Sequence, residues 1–150
     1  MILFKRKINY EKILVGYWFF VPILFGIYFF IMNLKNNSTI EQTLKTDNPL
    51  LAMGMLVSFL LVIQGMTFIL LNRQGENSNQ VKRYFLTFSI FQQLLMFNII
   101  GSALSFLAYR QLPEKNQTKL NVKPWLLGII TFIIFLSIII AWIQIRQLIL

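Results

Sequence analysis

A chain of 150 residues with 57% hydrophobic and 15% aromatic side chains carries only 14 Lys or Arg and 5 Asp or Glu. Soluble domains average about 25% charged residues, so the 13% found here excludes a water-soluble enzyme, a coiled coil and a disordered tail. With neither Cys nor His, the chain has no disulfide framework and no thiolate nucleophile, and it lacks the commonest zinc ligand and the usual haem axial ligand.

The charges leave four uncharged stretches, Ile13–Leu34, Asn48–Asn72, Tyr84–Tyr109 and Pro124–Ile145. Each exceeds the roughly 18 residues that mark a transmembrane helix candidate. The expected fold is therefore an all-α integral membrane protein, a bundle of four transmembrane helices with short loops and spans at 13–34, 49–72, 84–109 and 124–145. It forms a single polytopic membrane domain over 1–150. The formal charge of +9 flanks apolar spans, so anionic lipid headgroups rather than nucleic acid are the expected partner.

Taken in chain order, Met1–Lys12 alternates apolar Ile2, Leu3, Phe4 and Ile8 with four Lys or Arg, as a short interfacial helix or a plain positive flank would. The apolar run that follows is longer than the 7–15 residues of a signal h-region, and no small-x-small site follows it, so it reads as an uncleaved first span. Tyr17, Trp18 and Tyr28 occupy positions suited to interfacial aromatics, and Pro22 with Gly26 predicts a kink. In the next loop, Ser38-Thr39-Ile40-Glu41 has capping-box spacing. Asn48 is the expected N-cap of the second span, with Pro49 at its first position. The connection from Asn72 to Arg83 is polar and turn-prone. Leu112-Pro113 closes the third span, Lys123-Pro124-Trp125 opens the fourth, and Trp142 anchors its far end.

Four crossings with the N-terminus inside place eight Lys or Arg in the cytoplasm and six outside. The expectation is a multi-pass protein of the cell (inner or plasma) membrane with both termini cytoplasmic. The loop Arg110–Lys123 runs against that arrangement, because it puts four basic residues outside, and the small bias leaves dual topology open. Asn-x-Ser/Thr matches at Asn36, Asn37 and Asn116 read as coincidence in so Asn-rich a chain.

No ionisable group lies inside a span, since Glu11, Glu41, Asp47, Glu76 and Glu114 all stand in loops or at helix ends. What is left there is neutral polarity. Asn98, Ser102, Ser105 and Tyr109 recur at helical spacing along one seam of the third span, extended by Thr87 and Phe91. Gly101 and Ala108 join Ser105 in a small-residue face, which the strip Gly54, Ser58 and Gly65 matches on the second span. Close contact between the second and third helices is the result expected. Ser137 with Gly128, Ala141 and Gln144 offers a weaker strip on the fourth.

Gln64, Gln92, Gln93 and Asn98 read either as interhelical glue or as a polar pocket for a quinone carbonyl or a peptide backbone. Gln92 and Gln93 diverge by about 100° on a helix, so one of them is expected to face a second protein. The 15 Phe read as packing, not as a pigment or haem site, and no cofactor or metal is expected. The sequence points to a non-enzymatic small membrane protein acting through helix–helix contacts. It would serve as an accessory subunit of a membrane complex or as a protective protein of the bacteriocin-immunity sort, paired with a membrane-protein partner or with itself. The alternative is a homodimeric transporter or binding component for a neutral or lipophilic solute. An intramembrane serine enzyme built on Ser102 or Ser105 lacks a base.

Overall fold

The computed structural model describes residues 8–36, 41, 49–113 and 122–149. Among these the chain is all-helical, with α1 Tyr10–Asn36, α2 Pro49–Arg73, a 3-10 turn Gly75–Ser78, α3 Asn79–Leu95, α4 Ile99–Gln111 and α5 Pro124–Ile149. Three helices, α1, α2 and α5, are long and apolar enough to cross a membrane. Their 25–27 residues correspond to about 38–40 Å of helix, against a hydrocarbon core of roughly 30 Å.

The expected four-span bundle is corrected at its third member. The stretch Tyr84–Tyr109 is not one helix: it stops at Leu95 and restarts at Ile99. A Schellman motif ends α3, in which Phe97 N–H donates to the Leu94 carbonyl at 3.0 Å and Asn98 N–H to the Gln93 carbonyl at 2.8 Å. Phe97 occupies the left-handed region that the motif requires, at φ 57°. Asn98 then caps α4, its Oδ1 accepting from the Gly101 N–H at 3.1 Å. Two short-range motifs back to back reverse the chain within three residues.

The two helices lie antiparallel as a hairpin nested about Phe97. Ser102 Oγ donates to the Ile90 carbonyl at 3.1 Å, Ser89 and Ser105 hydroxyls meet at 3.3 Å, and Arg83 Nη2 donates to the Leu112 carbonyl at 3.0 Å. At 17 and 13 residues, α3 and α4 reach only about 25 and 20 Å, short of a full crossing.

Helices α1 and α2 form a second antiparallel pair, with Phe19 on Gly65 and Phe25 on Gly54. A Cβ on Gly65 would stand 3.0 Å from the Phe19 ring, so the small residue is what admits the aromatic. The second helix therefore spends its small strip on the first helix, not on the third, because the reversal at Phe97 removes the long partner that the strip was expected to meet. Helix α5 packs on α2 and touches α3, and α4 lies against α1. Trp18 is fully buried, edge-on to Phe68 at 5.9 Å and to Phe85 at 6.2 Å, so it joins α1, α2 and α3 in the core. Tyr28 and Trp142 stay exposed.

Several sequence expectations hold locally. Pro49 and Pro124 each stand first in a helix, where the missing N–H costs nothing. Leu112, preceding Pro113, is extended at ψ 133° and ends α4. Helix α1 continues through Pro22. The polar connection after α2 is shorter than expected, because α3 already begins at Asn79. Ser78 ties that turn down by donating to the carbonyls of Leu71 and Gly75. The segment Met1–Lys7, the Ser38–Glu41 box as a unit and Asn48 lie outside the described residues.

Candidate functional site

Most of the polar side chains between the helices fall into three groups around the hairpin. In the first, Gln64 of α2 donates through Nε2 to Oε1 of Gln92 on α3. Gln92 Nε2 then donates to Ser137 Oγ of α5 at 2.9 Å, and Ser137 Oγ to the Ile133 carbonyl at 2.6 Å. This chain of bonds couples three helices at mid-height. Gln64 is 0% exposed and Gln92 3%.

The second group lies inside the hairpin. Gln93 Nε2 donates to Ser89 Oγ at 3.2 Å, Ser89 meets Ser105, and Ser105 Oγ donates to the Gly101 carbonyl at 2.8 Å. A Cβ on Gly101 would overlap the Gln93 amide oxygen, so glycine is what lets the two helices close here. The third group is at the hairpin tip, where Tyr17 OH of α1 donates to Asn98 Oδ1 at 2.5 Å.

Gln92 and Gln93 do point in different directions, as adjacent helical positions must. The expectation that one faces a second protein is corrected, since both are buried: Gln92 bonds α2 and α5, and Gln93 bonds Ser89 of its own helix while its amide packs against Gly101 of α4. The reason is that the reversed chain supplies its own second partner. The expected seam divides in the same way. Ser102 and Ser105 face α3, Asn98 faces α1, and Tyr109 lies under the Arg83 guanidinium at 5.2 Å. Thr87 and Phe91 are exposed and do not extend it, because the helix that would carry them in line is broken. Ala108 is fully buried, and Ser58 is only partly so.

Sequence reading missed Tyr17 as a partner of Asn98, Ser89 and Gln111. Gln111 clasps the start of α1, accepting from Tyr10 N–H at 2.9 Å and donating to the Ile8 carbonyl at 2.6 Å. A usable signal existed for the tip: Asn98 stands three residues before Gly101, an N-cap position for a new helix.

Two further features frame these groups. An apolar groove of about 310 Å³ runs between α3 and α5, lined by Phe88, Phe91, Leu95, Ile138 and Trp142, with Gln92 and Ser137 among its polar contributors. At the end where α1 begins and α2 stops, Lys82 is buried to 7% exposure. That burial lowers its pKa from the ordinary lysine value, and Glu11 partly opposes the shift. Among the described residues no cluster of three Asp or Glu suited to a metal ion occurs. Comparison with protein-family models, curated proteins and solved structures finds no match.

Proposed function

We propose that this chain is a non-enzymatic membrane protein that works through helix–helix contact, as an accessory subunit of a membrane complex or as a protective protein of the bacteriocin-immunity sort. One observation carries the reading. Each of the four amides that would have formed a polar pocket bonds a neighbouring side chain, and Gln64, Gln92 and Asn98 do so across helices, so the interior is chiefly cohesive, with Gln64 Oε1 and Gln93 Oε1 as buried acceptors that no donor meets. Interhelical bonds of this kind contribute on average about 0.6 kcal/mol each, which suits a small bundle with short loops.

What the fold offers outward is apolar: the groove between α3 and α5, bordered by exposed Phe91, Ile138 and Trp142. A transmembrane helix of a partner or of a second copy fits such a surface, since packing rather than burial drives association in lipid. A photo-crosslinking residue at Phe91 tests this in native membranes, with the same residue at Ile23 on α1 as comparison. A discrete protein adduct from position 91 is expected. Lipid adducts alone from both positions would sink the reading.

The groove also supports a second reading, a binding component for a neutral, lipophilic solute, with Gln92 and Ser137 supplying hydrogen bonds. A small-molecule adduct at Phe91 in place of a protein adduct would favour it.

A further inference from the structure

The hairpin has one polar end and one apolar end. Asn79, Lys82 and Arg83 open α3, and Arg110 and Gln111 close α4. Between them the tip exposes Leu94, Leu95, Phe97, Ile99 and Ile100, at 50–74% of their surface. Such a row of apolar side chains at a chain reversal is costly in water and at home in hydrocarbon. Around the turn, the backbone N–H groups of Met96, Phe97, Asn98, Gly101 and Ser102 are hydrogen-bonded within the hairpin, which reduces the polar backbone the turn presents to hydrocarbon.

Contacts with α1 give the hairpin its depth and direction. Its polar end meets the beginning of α1 through Gln111, Ile8 and Tyr10. Its tip meets α1 at Tyr17, less than halfway along that 27-residue helix. The hairpin thus enters beside the N-terminal end of α1 and turns back within the half of α1 nearest that end.

We propose that α3 and α4 form a half-membrane hairpin that enters and leaves on the face where α1 begins, so that the chain crosses the bilayer three times and its two ends lie on opposite faces. The connection 112–123 then starts on the N-terminal face. It also ends there, because Glu114, Lys115, Lys119 and Lys123 would otherwise have to pass through hydrocarbon.

Charge supplies an independent argument. Four crossings divide the 14 Lys and Arg eight to six, an arrangement that leaves orientation almost undecided. Three crossings with a half-membrane hairpin divide them eleven to three, leaving only Lys35, Lys45 and Arg146 on the far face. The loop Arg110–Lys123, which contradicts the positive-inside rule in a four-span protein, becomes part of the basic face. The N-terminal face is then cytoplasmic, and the end of α5 is not.

The chain has no Cys, so single cysteines report without interference. Lys5→Cys, Lys119→Cys and Gln147→Cys are probed with a membrane-impermeant maleimide in sealed right-side-out and inverted vesicles. Positions 5 and 119 are expected to label from one side and 147 from the other. Labelling of 119 opposite to 5, with 147 on the same side as 5, would overturn the proposal. A distance between spin labels at Tyr84→Cys and Arg110→Cys checks the hairpin itself. It is expected below ~20 Å, whereas a continuous helix holds these positions about 39 Å apart, and that longer value would overturn it.

Discussion

Gln92 shows how much one side chain decides inside this protein. Its amide accepts from Gln64 and donates to Ser137, so truncation leaves the Gln64 amide nitrogen without its acceptor and takes from Ser137 the donor it accepts from. A double-mutant cycle between Gln64→Leu and Gln92→Leu, read by unfolding in mixed micelles, is expected to give a coupling of about 0.6 kcal/mol and at most roughly 1.7. A coupling near zero would mean that the amides do not meet. Asn98 has a comparable position at the hairpin tip, where one oxygen serves both the Gly101 N–H and the Tyr17 hydroxyl. Each of these residues is polar in a place where lipid offers no substitute partner, and so each bond fixes a register between helices.

The hairpin is the element that sets this chain apart from a plain bundle. Its turn places Phe97 in a left-handed conformation that costs an L-residue roughly 1–2 kcal/mol and costs glycine little. The Phe97 ring is 74% exposed, so little packing is lost with it. Phe97→Gly is therefore expected to stabilise the folded protein by about 1 kcal/mol in the same unfolding measurement. In a continuous helix the same change would destabilise by about that amount, so the sign of the effect tests the turn. The α1–α2 pair achieves closeness by another route, small residues under aromatic rings, at Gly54 beneath Phe25 and Gly65 beneath Phe19.

At the scale of the whole molecule, the three long helices frame the half-length hairpin, and the proposed topology turns a weak charge bias into a strong one. Adding two lysines to the connection between α1 and α2, as Asn37→Lys and Gln42→Lys, tests that margin. With eleven basic residues against three, the far face rises to five and a single orientation is expected to persist in the vesicle labelling assay. With eight against six the two faces would become equal, and mixed labelling of position 5 would follow.

The sequence by itself determined that this is an apolar, helical, charge-poor chain, where its long helices start at Pro49 and Pro124, and where α4 stops before Pro113. Those properties are local: hydropathy over about 20 residues, proline geometry and the steric demand of an X-Pro bond are written in consecutive residues. It also identified the buried amides and hydroxyls, because polar side chains within apolar runs stand out. Only the tertiary structure decided what those groups bind. The reversal at Phe97 lacks the glycine that usually marks a left-handed helix end, and its neighbours are as hydrophobic as any span, so apart from Asn98 at an N-cap position nothing in the local pattern separates one long helix from two short ones. Once the chain turns, Gln93, Ser102 and Ser105 find partners within the hairpin. Trp18 moves from an expected interface into the core, and the small residues of α2 turn to α1. Pairings between distant residues depend on which helix lies alongside which, and that is settled by packing over the whole molecule.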